Sequence, residues 1–183
     1  YAAAGSDARM NGCELPVVIN SGSGNQGLTV SVPLIVYAER EHLDKEKLYR
    51  ALVISNLTAI HLKTEIGRLS AFCGAVSAGA ACGAGLAYLK DASEEVMNHT
   101  IVNALAITSG IICDGAKASC AAKIAVSVEA GILGYDMYMN GQQFYGGDGI
   151  ISKGIENTIH NIGVLGSQGM ASTDQEIIKI MCE

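Results

Sequence analysis

The sequence predicts an all-α protein, a compact Gly/Ala-rich helical domain, and three observations carry that reading. No segment alternates apolar and polar residues with period two for long enough to make a strand. Between residues 45 and 69, Leu48, Leu52, Ser55, Ala59, Leu62, Ile66 and Leu69 recur in steps of four and three, one buried stripe of a helix. Glycine reaches 22, whereas Pro and Phe occur twice each and Trp is absent, a composition suited to close-packed helices. With 183 residues, 49% hydrophobic and 16% charged, the chain can bury one core and is too apolar for disorder. One domain over residues 1–183 is expected.

The elements follow in order. Residues 1–25 hold a Gly-rich loop and little periodicity. A helix is predicted from Asn25–Gly27 to about Arg40, kinked or delayed by Pro33, which removes a helical hydrogen bond. The 45–69 helix comes next. Ala71 to Leu89 then carries no charge and is long enough to span a bilayer. Its Gly79 and Gly83 form a small-xxx-small pair. The run is mostly Ala, Gly, Ser and Cys, with Phe72, Val76, Leu86 and Leu89 as its large apolar anchors. It gains little from lipid and much from tight packing, so a buried helix of a soluble protein is expected rather than a membrane span. Ser93 is an N-cap, followed by Glu94 and Glu95 in the first turn of a helix reaching about Ile112. Ser119 is expected to cap a helix to about Tyr138, and Gly141–Gly149 to form a turn-rich connection. Residues 150–165 and 173–181 read as two last helices, the second capped by Ser172 or Thr173.

Charge and cysteine usage narrow the functional classes. A net charge of −6, without any Lys/Arg cluster, excludes a nucleic-acid partner of the usual basic kind. Six cysteines without a signal peptide or a small loop-rich scaffold point to a reducing, cytoplasmic setting. The chain begins at Tyr1 and reads as part of a longer protein.

Two features carry chemistry. The first is the loop Ser21, Gly22, Ser23, Gly24, Asn25, Gln26 and Gly27. It is either a flexible turn before a helix or a cradle in which backbone N–H groups and the positive helix end hold a carboxylate. The second is a set of three cysteines: Cys73, then Cys113 after 40 residues, then Cys120 after seven more. Free cysteines are often small buried hydrophobes, and that reading suits Cys82 and Cys13. Cys182 lies beside the C-terminus. Cys73, Cys113 and Cys120 instead fall at helix ends and Gly-flanked breaks, where thiolates can converge on a metal or cluster. Their spacing fits no zinc pattern. Three thiolates on an iron–sulfur cluster leave one iron open to substrate. The loop is also similar to the substrate loop of pyridoxal-phosphate dehydratases, but that reading needs a Schiff-base lysine in context, for which only Lys117 and Lys123 are available.

These segments carry a resemblance. Met10-Asn11-Gly12-Cys13-Glu14-Leu15-Pro16 followed by Ser21–Gly27 resembles the serine dehydratase α-like family, and more closely its cysteine desulfidase branch, the UPF0597 proteins. Gly67–Ala75 and Ser109–Cys120 look like the segments bearing that branch's cluster cysteines, and Asn161–Met170 is similar to its terminal helix region. The resemblance implies a mostly helical fold and a [4Fe–4S] cluster held by Cys73, Cys113 and Cys120. It also implies β-elimination from a small amino acid, L-cysteine or L-serine, with the Ser21–Gly27 loop on the α-carboxylate. Asp114 and Lys117, inside the cysteine hairpin, are expected to tune the metal by hydrogen bonds and charge. Family members are longer at the N-terminus, and a cysteine proposed there as a base has no counterpart in this chain. An additional N-terminal domain or an oligomer is therefore expected, and these residues need not be active alone. His61, Lys63, Glu65, His99 and Lys117 are the ionisable residues beside the relevant segments, and none is assigned as base. The alternatives are a cluster-bearing redox sensor or an amino-acid-sensing module, for which a fourth protein ligand would speak.

Overall fold

The computed structural model describes residues 1–183 and consists of eight α-helices without a sheet. They are α1 (Ala2–Met10), α2 (Gly24–Arg40), α3 (Lys45–Ile66), α4 (Gly74–Leu89), α5 (Glu94–Thr108), α6 (Cys120–Met139), α7 (Ile155–Val164) and α8 (Ala171–Cys182). A π-helical turn, Leu165–Gly169, joins the last two. Helix α4 is the axis of the fold, with α2, α3, α5 and α6 packed around it.

That position explains the charge-free run. All residues of α4 except Gly74 and Tyr88 are buried, so an apolar sequence is required on every face. Its glycines let neighbouring backbones approach. A Cβ on Gly83 would fall 2.9 Å from the Cα and carbonyl oxygen of Gly131 in α6, and one on Gly79 would strike the Ser127 carbonyl. The helix is thus a protein core, and no helix in the chain is long and apolar enough to cross a membrane.

Helix α3 buries Ser55, Ala59, Leu62 and Ile66 on the predicted stripe, while Leu48 and Leu52 are half-buried. The stripe stops there. Gly67 takes φ +90° and ends the helix, leaving Leu69 95% exposed instead of in the core. Helix α2 runs through Pro33 without ending, and starts neither late nor at a break. Val30 and Leu34 are fully buried on either side of the proline, and Ser55 Oγ donates to the Val30 carbonyl at 2.9 Å. Packing holds the turn that proline weakens.

Ser93 caps α5 as expected, accepting from the Val96 N–H. The helix stops at Thr108, short of Ile112, because residues 111–113 are drawn into backbone pairing with residues 71–73. Neither Ser119 nor Ser172/Thr173 caps its helix by a side-chain bond. The α6 N-terminus is shaped by the cysteine hairpin, and α8 begins earlier, at Ala171, directly from the π turn. Helix α1 is absent from the sequence reading, since Ala2–Met10 has no apolar stripe to betray it.

Candidate functional site

The Ser21–Gly27 loop is a tight turn feeding a helix. Asn20 and Ser23 exchange two backbone hydrogen bonds, 3.1 and 3.0 Å, around Ser21 and Gly22, whose φ values are +50° and +84°. Positive φ at both central residues is the pattern of a type I′ turn. Ser23 then caps α2, its Oγ accepting from the Gln26 N–H. Gly24 has no Cβ where Arg9 of α1 approaches to 2.9 Å, and the Arg9 guanidinium donates to Asn25 Oδ1 at 3.1 Å. Gly27 lies against the Val18 carbonyl, where a Cβ would collide with backbone. Gly24 and Gly27 therefore shape the loop, whereas Ser21, Gly22, Ser23, Asn25 and Gln26 line a cavity.

The opposite wall holds the cysteines. Phe72 and Ile112 form an isolated antiparallel bridge, with Cys73 N–H donating to the Ile111 carbonyl at 3.2 Å and Cys113 N–H to that of Ala71 at 2.6 Å. Phe72, fully buried, anchors it. The bridge puts Cys73 and Cys113 on one face as diagonal neighbours, with their thiols within hydrogen-bonding reach. Cys120 joins them at the start of α6, so Cys73, Cys113 and Cys120 all line the cavity that the loop lines.

Each sulfur faces a backbone N–H. That of Ala75 is directed at Cys73, that of Gly115 at Cys113, and that of Lys117 at Cys120 at 3.5 Å. The hydrogen bond from Cys73 pulls the Cys113 thiol down to about 6, against its burial, and the Gly115 N–H and Lys123 act the same way. Cys73 is pushed up, by donating that bond and by burial.

The charge is one-sided. Arg9, Lys63, Arg68 and Lys123 line the cavity, and no Asp or Glu does. The N-termini of α2, α4 and α6 open on it as well, adding positive potential. In an acidic chain this is a local anion trap. Lys63, in the last turn of α3, is only 4% exposed, and burial lowers its pKa against the opposing pull of Cys113, Cys73 and Asp174. The cavity measures about 330 Å³, at the lower end for small-molecule sites.

Within the hairpin, Asp114 forms an ion pair with Lys123, which also donates to the Ile112 carbonyl at 3.0 Å. That bond to Lys123 holds the Asp114 carboxyl below its ordinary value. Burial alone would lower Lys123, but the contact with Asp114 leaves it raised. Lys117 presents its backbone N–H to Cys120 while its side chain is exposed outside the cavity. Lys123, one helical turn into α6, makes the ion pair with Asp114, and the charge of Lys117 acts on the same carboxyl.

Other sequence candidates lie elsewhere. His61 contacts Glu156 at 2.8 Å, and Glu65 contacts His160 at 3.5 Å, both on the outer side of α3. His99 stacks on Tyr138 and lines a separate cavity of about 610 Å³ that contains no cysteine. Cys82 is fully buried in the α2–α4 core, and Cys13 and Cys182 are exposed. Arg9 and Arg68 had no signal as site residues in the sequence, and Lys123 entered there only as an available Schiff-base lysine.

No three His, Cys, Asp or Glu side chains lie close enough to hold a single metal ion. A polynuclear cluster spreads its thiolates more widely. The donors here suit one: three free cysteines lining one cavity, N–H groups on every sulfur and cations to balance thiolate charge.

Residues 1–179 match the serine dehydratase alpha chain family. The chain belongs to that family. It is 68% identical to a UPF0597 protein of Desulfitobacterium hafniense, over 98% of this chain and 42% of that protein. UPF0597 proteins of Lachnoclostridium phytofermentans and Finegoldia magna are 58% and 56% identical, over 98% and 100% of this chain and 43% and 44% of theirs. The chain thus spans less than half the length of the curated relatives it matches. No solved structure matches it.

Proposed function

We propose that these residues form the cluster-binding and substrate-binding centre of a lyase that eliminates the β-substituent of L-cysteine or L-serine. One observation carries the reading: Cys73, Cys113 and Cys120 share a cavity with the Ser21–Gln26 loop, and every charged group lining it is cationic. Cys73, Cys113 and Cys120 would hold a [4Fe–4S] cluster, which when bound supplies a Lewis-acidic iron for the departing thiol or hydroxyl.

The protein's own groups do the rest. The N–H groups at the start of α2, with Arg9 and Arg68, hold the α-carboxylate and fix the Cα–H bond. The Lys63 amine, made easier to deprotonate by burial, takes the Cα proton. The Cα–H electron pair forms the Cα–Cβ double bond as the Cβ–S or Cβ–O bond breaks. The released aminoacrylate tautomerises and hydrolyses to pyruvate and ammonia, with sulfide as the second product from cysteine and water from serine.

The test is an anaerobic assay of the full-length protein after reconstitution with iron and sulfide. Pyruvate should appear in equal amount with sulfide from L-cysteine, or without it from L-serine. Absence of pyruvate from both amino acids in a cluster-loaded sample rejects the reading. The sensor alternative has one point in its favour: Met181, the residue before Cys182 at the end of α8, packs beside Gly115 of the hairpin. A Cys182→Ser protein that loses its cluster while the native one shows no turnover would support it.

A further inference from the structure

We infer that Gln26 Oε1 is the acceptor for the substrate's α-ammonium group, making Gln26 the residue that separates amino acids from the corresponding acids without nitrogen. The inference rests on the reading of this cavity as an amino-acid site.

A cavity lined by Arg9, Lys63, Arg68 and Lys123, with three helix N-termini opening on it, attracts carboxylates and repels ammonium groups. An α-amino acid carries both. Its three N–H donors need an acceptor inside a cavity built almost wholly of donors. Five side chains with oxygen atoms line the cavity: Ser21, Ser23, Asn25, Gln26 and Ser70. Four are engaged. Ser21 Oγ donates to Asn20 Oδ1 at 2.9 Å, and Ser23 Oγ accepts from the Gln26 N–H at 3.3 Å. Asn25 Oδ1 accepts from Arg9 at 3.1 Å, and Ser70 Oγ bonds both the Gly166 carbonyl and the Phe72 N–H.

Gln26 Oε1 alone has no partner. The residue is 6% exposed, and no protein group supplies the missing donor. A buried acceptor left unpaired is a cost to the free protein that a ligand donor removes. Its position is also held. The amide of Gln26 is wedged against the first residue of α4, where a Cβ on Gly74 would lie 2.6 Å from Nε2 and 2.8 Å from Cδ. Gly74 follows Cys73 directly, which sets the Gln26 amide beside the cysteine wall.

The experiment compares L-cysteine with 3-mercaptopropionate, which keeps the thiol and carboxylate and lacks the ammonium. Calorimetry on the cluster-free full-length protein under argon avoids turnover and reads binding alone. The native protein should prefer L-cysteine by about 10- to 100-fold, the range of a hydrogen bond to a charged group. Gln26→Leu should bring the two affinities within about threefold by weakening cysteine binding only, and Gln26→Glu, an acceptor of the same shape, should restore the preference. An unchanged preference in Gln26→Leu, or equal weakening of both ligands, overturns the inference while leaving the amino-acid site standing. Loss of preference in Gln26→Glu also overturns it, since the amide nitrogen would then be the recognising atom. Should the native protein bind neither ligand, the reading of the site falls together with it.

Discussion

Cys73 and Cys113 stand as diagonal neighbours across the bridge formed by Phe72 and Ile112. The two thiols are 40 positions apart in sequence, and a single isolated bridge brings them together. The relationship has a chemical consequence for protein that carries no cluster. Two thiols in hydrogen-bonding contact, one with thiolate character, are poised for oxidation.

Mild oxidation of the cluster-free protein should therefore join Cys73 to Cys113. Non-reducing peptide mapping should find that disulfide first, ahead of any involving Cys120. Cys82 should remain a free thiol, because it is fully buried. A dominant disulfide between Cys120 and either partner would show that the hairpin is arranged differently from the geometry described.

Replacing the cysteines one at a time separates ligands from packing residues. Cys73→Ser, Cys113→Ser and Cys120→Ser should each strongly reduce the visible absorbance of anaerobically reconstituted protein, because a hydroxyl is a harder and poorer iron ligand than a thiolate. Cys82→Ala should keep the absorbance and lose about 1–2 kcal/mol of stability through the small cavity it leaves. Cluster loss in Cys82→Ala at temperatures where the protein remains folded would implicate a fourth cysteine and refute the open-iron mechanism.

How much of this was legible in the sequence depends on the range of the interaction. Steps of three and four marked α3 because Ser55, Ala59, Leu62 and Ile66 face one core, a local pattern. The end of α3 was misplaced by one step because Leu69 fits the stripe, whereas Gly67 with its positive φ turns the chain away first. Ser119 marked the start of α6 correctly, but its side chain makes no cap bond there, and the neighbouring Cys120 is held by the Lys117 N–H. The cations were least legible. Arg9, Lys63, Arg68 and Lys123 come from α1, α3, the loop after α3, and α6. No spacing rule links them, and only the folded structure shows that they line one cavity. Lys117 was the natural choice within the hairpin, yet the helix beginning at Cys120 turns Lys123 toward Asp114 instead.

Close packing of α4 on α6 makes its glycines intolerant of side chains. Gly83→Val should lower stability by about 1–3 kcal/mol, since the added atoms would meet the Gly131 backbone at 2.9 Å and the chain must shift to admit them. Urea denaturation with unchanged m-value is the measurement. A neutral result would mean that α4 and α6 are not in contact at this point.

Burial of Cys82 also predicts a pH dependence of stability. Desolvation pushes its thiol up to about 12, whereas an unfolded thiol ionises near 8.5. Between about pH 8.5 and 12 the unfolded chain binds fewer protons at this site than the folded one, so this contribution to stability falls as pH rises, by up to about 1.4 kcal/mol per pH unit. Below pH 8.5 it is fully present. The difference in unfolding free energy between native protein and Cys82→Ala should therefore narrow between pH 8.5 and 10.5. A difference that stays constant across that window would place Cys82 in contact with solvent or with a compensating cation.

Lys63 offers the sharpest test of the proposed chemistry. It is nearly enclosed, lines the cavity with the three cysteines, and has its pKa lowered by burial. A lysine that only neutralises thiolate or carboxylate charge should be replaceable by arginine, which keeps the charge but cannot give up its proton. A lysine that accepts the Cα proton should not. In cluster-loaded protein, Lys63→Arg and Lys63→Met should therefore both lower kcat by about 10²–10⁴-fold. Exchange of the Cα hydrogen of L-serine or L-cysteine with deuterated solvent, followed by NMR, should disappear in both variants while substrate binding persists. If Lys63→Arg instead retains kcat and exchange, the lysine is a charge partner and the base lies elsewhere. If both variants instead raise KM steeply with kcat unchanged, Lys63 belongs to the carboxylate-holding set alongside Arg9 and Arg68.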